Sequence, residues 1–317
     1  MMYLIGTRCK FTDISRMLTL RRGEEEIMAT VRYFNALLQV VMNDQLVLFE
    51  ELPDRETLLR SVFEQGLFIP QGEVDKDSGW GIGNARFITK DENWLFGFLH
   101  KVIDASNIST LPLSASSLNE VQHLAGYIVN KTPFFFDFSN QHLYTQSHWL
   151  ISRASKSTSG IWKQMLTFAL QRYVRSLDVQ SIPEESGFWE QMNKLKYVNT
   201  AEFELFGPNI LNDERIRELM SDFNPTDTDG IVLVLKNFFK GLKTDTEEFR
   251  ALLRYILKGG GKGIFKGIDR QTDKRRTVKT ESKLQAFVVS KKLDENSNDL
   301  QALKVLEEIT GREIKNL

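Results

Sequence analysis

One cysteine, Cys9, stands among the 317 residues, so neither an internal disulfide nor a thiolate metal site can form, and a reducing, cytoplasmic setting is expected. Proline is scarce at 7, too few for a linker-rich assembly. The four histidines, His100, His123, His142 and His148, contain no HExxH pair or close pair at helical spacing, so they point to no metal site. No stretch approaches the ~20 consecutive apolar residues of a membrane span. The start Met-Met-Tyr-Leu-Ile meets Arg8 and Lys10 too soon for a secretory apolar core. A Gly-x-Ser-x-Gly elbow is absent, and the glycine-rich run at Lys258–Gly263 is no Walker A loop, because Lys262 is followed by Gly263 where Ser or Thr is required. The sequence therefore assigns no catalytic residue, no cofactor and no metal site, and an enzyme is not the first expectation.

What is present is a packed chain with one segregated charge. Phenylalanine is abundant at 22 and hydrophobic residues make up 41%, enough for one large or two medium cores. The formal net charge is only -1, yet residues 258–292 carry eleven cations against Asp269, Asp273 and Glu281, so that window is +8 and the remainder -9. A near-neutral protein with one strongly positive stretch attracts a polyanion at one place and repels it elsewhere. Nucleic acid fits that description. The expected phosphate contacts are Lys258, Lys262, Lys266, Arg270, Lys274, Arg275, Arg276, Lys279 and Lys283. The glycines at 259, 260, 261 and 263 suggest a flexible backbone able to approach a phosphate closely. Strands at Ile264–Ile268 and Leu284–Val289 would hold the Asp273–Arg276 cluster on a hairpin tip or a sheet face.

Two other readings of this segment stay open. It could be a solvated surface hairpin whose carboxylates only relieve repulsion, leaving the chain a protein-interaction module that partners an effector. Alternatively Asp269 and Glu281 could ligate magnesium, with Lys283 polarising a water, in the acidic-then-E-x-K order of nucleases.

Periodicity gives an α+β chain of antiparallel hairpins and sheets packed with amphipathic helices. Strands are expected at 38–42 with 46–49, at 85–89 with 94–99, at 134–138 with 142–144, at 197–206 and at 231–235, the last a continuous apolar run that reads as buried. The glycines at 79, 81 and 83 read as a loop entering a strand. Helices are expected after Asp54, after the Ser117-x-x-Glu120 capping box, over 161–173, over 188–195, after Asn212, after the Thr244-x-x-Glu247 box, and over 300–309 before Gly311. Phe134, Phe135, Phe136 and Phe138 are read as core, which favours backbone contacts to a duplex over stacking on single strands. The polar stretch 106–117 suggests two domains, a β-rich 1–112 and an α+β 113–317 carrying the basic segment.

Three patches add a resemblance: Thr132–Tyr144 (TPFFFDFSNQHLY), Ala201–Asn209 (AEFELFGPN) and Phe265–Asp269 (FKGID). With the order of elements, they resemble phage-exclusion proteins of the RexA type and, more distantly, the KwaB proteins of the Kiwa defence system. The resemblance implies an α+β homodimer or higher homo-oligomer that binds double-stranded DNA without sequence preference, with a membrane protein as partner, in antiphage abortive infection. It supplies no catalytic residues.

Overall fold

The computed structural model describes residues 30–43, 53–69, 79–104, 127–151, 154–206 and 230–314. In chain order these form β1 (Val31–Met42), α1 (Arg55–Gln65), β2 (Leu67–Ile69), β3 (Gly79–Phe87), β4 (Trp94–Asp104), β5 (Tyr127–Asp137), β6 (His142–Gln146), α2 (Ser155–Leu170) and β7 (Val174–Ser181). There follow α3 (Glu185–Met192), β8 (Leu195–Phe206), β9 (Gly230–Lys236), α4 (Glu247–Tyr255), β10 (Gly261–Asp269), β11 (Arg275–Lys279), β12 (Ala286–Val289) and α5 (Asp299–Thr310). The class is α+β with antiparallel sheets. The expected strand at 46–49 and the helices after Ser117 and Asn212 lie outside the described residues.

Phe134, Phe135 and Phe136 are consecutive on β5, so their rings alternate between faces, and all three are fully buried. Only a sheet covered on both sides allows that. On one face Phe134 and Phe136 pack with Phe63 of α1 and Trp162 of α2, and on the other Phe135 packs with Tyr33, Phe96 and the apolar stripe of α5. The sheet runs β12-β1-β6-β5-β4-β3-β2, with β7 also paired to β1. Because β6 occupies one edge of β1 from Tyr33 to Leu37, β12 and β7 share the opposite edge, β12 at residues 31–34 and β7 at 36–42.

Local signals locate most ends. Asp54 accepts from Thr57 N and starts α1, and Gly311 closes α5 in the left-handed region at φ 64°. Asn298 and Gln301 form a reciprocal capping box on α5. Since α5 alone among the described helices covers its face of the first sheet, Asn298→Ala should cost about 1 kcal/mol in a denaturant melt.

Several expectations need correction. The division at 112 falls inside a sheet, because β4 and β5 on either side of it pair over eleven positions. The cap of α4 is Thr246, which accepts from Phe249 N, two residues after the expected Thr244. Gly79, Gly81 and Gly83 lie within β3, alternating with the buried Trp80 and Ile82. The late strand is β12, and it pairs with β1 rather than with β10.

The second sheet, β11-β10-β8-β9, is built differently. Phe203 of β8 and Phe265 of β10 point inward onto Phe188 of α3 and Phe249 of α4. No described helix covers the opposite face. On that side of β9 Val232 is 62% exposed and Val234 43%, so the run 231–235 is not the buried strand expected of it.

Candidate nucleic-acid interface

Register assigns each side chain to a face, since residues directly opposite in an antiparallel pair point the same way. Phe265 and Val278 are opposite and buried, so their neighbours Lys266 and Thr277, Ile264 and Lys279, and Ile268 and Arg275 lie on the open face. Lys279 and Arg275 each sit diagonally from Lys266, about 7–8 Å away. Across β8, Lys266 is opposite Thr200, which is opposite Lys236 of β9, about 10 Å from Lys266 at two strand spacings. All four cations are exposed.

The turn from β10 to β11 adds two more. Asp269 Oδ1 accepts from the backbone N of Gln271 and of Thr272, while Asp269 Oδ2 accepts from Arg276 Nη1 at 2.7 Å. Arg276 Nη2 reaches Gln191 of α3 at 2.6 Å, so this guanidinium ties the hairpin to the body of the protein. Arg270 and Lys274 project from the resulting turn, both exposed. The Arg276 bond, with the Thr272 and Gln271 amides behind it, holds the Asp269 carboxyl down at about 2. A depressed acid stabilises above its unfolded value and loses that contribution as pH falls through its folded one. The hairpin turn should accordingly survive at pH 4 and open only near pH 2, which a carbon-13 titration of the Asp269 carboxyl would follow.

Of the nine cations read from the sequence, Lys266, Arg275 and Lys279 therefore share the open face, and Arg270 and Lys274 are exposed on the turn that ends it. Among the described residues none of these five meets a carboxylate within ion-pair distance. The other four are used or placed elsewhere. Arg276 is held by Asp269, Lys283 lies 3.1 Å from Glu184, and Lys262 faces Glu281 at 3.9 Å while lying over the Phe206 ring. Lys258 sits in the turn after α4 and lines a cleft of about 800 Å³ with Asn35, His142 and Arg312, away from the hairpin.

The glycine run has a packing role instead of the phosphate-approaching one expected of it. Gly259, Gly260, Gly261 and Gly263 are all buried. Gly259 takes φ +92° against Leu37, a Cβ on Gly260 would lie 2.4 Å from the Tyr255 ring, and one on Gly261 would lie 2.1 Å from the carbonyl O of Glu204.

The magnesium arrangement is not formed. Gly263 N donates to Thr280 Oγ1, which sets Glu281 six residues up the hairpin from Asp269, about 20 Å away. Glu281 is instead bound to Lys156 at 2.6 Å. The described residues hold no group of three His, Cys, Asp or Glu suited to a metal. His100 is fully buried, and burial pushes its imidazole down to about 3, so it is neutral. His142 Nδ1 is fixed on Asn35.

No protein-family model and no curated protein sequence matches this chain. Among the described residues no helix is long and apolar enough to cross a membrane.

Charge counting missed part of this surface. Lys236-Asn237-Phe238-Phe239-Lys240-Gly241-Leu242-Lys243 continues from β9, with Phe238 69% and Phe239 97% exposed. Tyr197, 40% exposed, lies opposite Ile268 on the open face and packs under Gly241. The available signal was an aromatic pair between lysines, bracketed by the turn formers Asn and Gly.

Proposed function

We propose that this protein binds double-stranded DNA without sequence preference, through phosphate contacts from Lys266, Arg270, Lys274, Arg275, Lys279 and Lys236. The observation that carries this reading is that Lys266, Arg275, Lys279 and Lys236 share a sheet face that no described helix covers, with Arg270 and Lys274 exposed on the adjoining turn, all six unpaired among the described residues. Cations held by carboxylates have little to offer a polyanion, whereas exposed ones on a twisted sheet can follow a groove and release counterions. Glu204 lies on the same face opposite Lys262, and Glu202 shares the Ile264–Lys279 row, so the attraction is directed past them to the hairpin end.

In the cell we assign the protein to antiphage abortive infection, as a cytoplasmic homo-oligomer working with a membrane partner, on the strength of the β5–β6, β8 and β10 patches named above. The test of the binding reading is fluorescence anisotropy with unrelated duplexes across a salt series. Equal affinity for all sequences is expected, with a log–log slope near -5 for six contacts at roughly 0.9 each. An affinity indifferent to salt would remove the reading.

A further inference from the structure

An exposed phenylalanine pair is an unusual surface feature, because each ring leaves apolar area in water that folding normally buries. Phe238 and Phe239 stand clear of the fold on a turn that is itself well anchored. Asn237 Oδ1 accepts from the backbone N of Phe239 and of Lys240, Asn237 N donates to Asn199 O, and Leu242 N donates to Val198 O. The rings are thus presented by a defined turn. Their neighbours Lys236, Lys240 and Lys243 are exposed cations, and Lys236 belongs to the same cross-strand row as Lys266.

We propose that Phe238 and Phe239 form a wedge that enters bound DNA between base pairs, so that the protein favours DNA whose stacking is already broken over uniform duplex. Apolar wedges flanked by cations act this way in proteins that kink DNA: the rings replace lost base stacking while the cations hold the backbone on either side. Unstacking is costly in intact duplex and nearly free at a bubble or bulge, which is the origin of the preference. A second protein surface is the weaker match, because two rings supply only about 300–500 Å² and are ringed by lysines, below the ~800 Å² per partner of a stable contact. This inference rests on the DNA reading above but depends on different residues.

The experiment uses the full chain, a uniform duplex, the same duplex with a central mismatched bubble, and 2-aminopurine at the expected insertion site. The wild type should bind the bubble at least roughly fivefold more tightly and raise the 2-aminopurine signal on uniform duplex. Phe238→Ala/Phe239→Ala should keep its melting temperature and its affinity for uniform duplex within about threefold, while losing both the preference and the signal. A double variant that retains the preference overturns the wedge, as does a wild type with neither effect. If Lys266→Glu/Arg275→Glu/Lys279→Glu binds DNA as the wild type does, the DNA reading itself fails. Should the double variant lose only its binding to phosphatidylcholine–phosphatidylglycerol vesicles, at a ratio of roughly 3:1, the pair is a membrane contact and the wedge is wrong.

Discussion

Lys266→Glu/Arg275→Glu/Lys279→Glu should lower duplex affinity by several hundredfold near 0.1 M salt and reduce the salt slope by about 3. Counterion release at roughly 0.9 per neutralised phosphate makes three lost contacts worth about 10^2.7 at that concentration, before any repulsion from the new carboxylates. The three side chains are exposed, with Arg275 and Lys279 each diagonal to Lys266 on the face that no described helix covers, so their reversal should change stability by no more than about 0.5 kcal/mol. Two controls separate position from charge. Lys258→Glu removes a cation of the same sequence window that lies by the cleft, and it should leave the affinity unchanged. Arg276→Glu places a second carboxylate against Asp269 and should act on the melting temperature instead. A triple variant with wild-type affinity and slope would show that this face does not touch DNA.

Gly261→Val and Gly267→Val should each destabilise the protein by about 3 kcal/mol or more, lowering the melting temperature by roughly 4 °C or more. A Cβ at Gly261 would lie 2.1 Å from Glu204 O, and one at Gly267 2.1 Å from Tyr197 O. Both obstacles are backbone of β8, the central partner of β10, so no side chain can rotate aside. The strands would have to separate by about an ångström along the middle of the sheet, opening the Phe203–Phe265 core beneath. The same variants also test what the glycines are for. If they served a phosphate, Gly261→Ala would weaken DNA binding in a protein of normal stability. A packing role predicts the reverse, with affinity per folded molecule unchanged.

Much of the local structure was legible because its causes lie within a few residues. Asp54 caps α1 through Thr57, the Asp137 carboxylate organises the β5–β6 turn through Ser139 and Asn140, and Gly311 ends α5. Each involves partners no more than four positions apart. β7 escaped notice because Val174–Ser181 carries Arg175, Ser176 and Asp178 among its apolar residues, and only its long pairing with β1 makes it a strand. The boundary at 112 was misplaced for a related reason: a polar stretch marks a connection, but whether the connected strands pair is decided by their register.

The candidate site divides along the same line. Apolar periodicity and the order of charges along the sequence were enough to establish that the chain is α+β with a phenylalanine-rich core and that net positive charge gathers in residues 258–292. Only the tertiary structure decided which cations are available. Arg276, Lys262 and Lys283 are taken up by Asp269, Glu281 and Glu184, while Lys236 joins from another strand. The physical reason is that charge counts add along a chain, whereas an electrostatic field depends on distances in space. Strand pairing sets those distances between residues that the sequence keeps far apart.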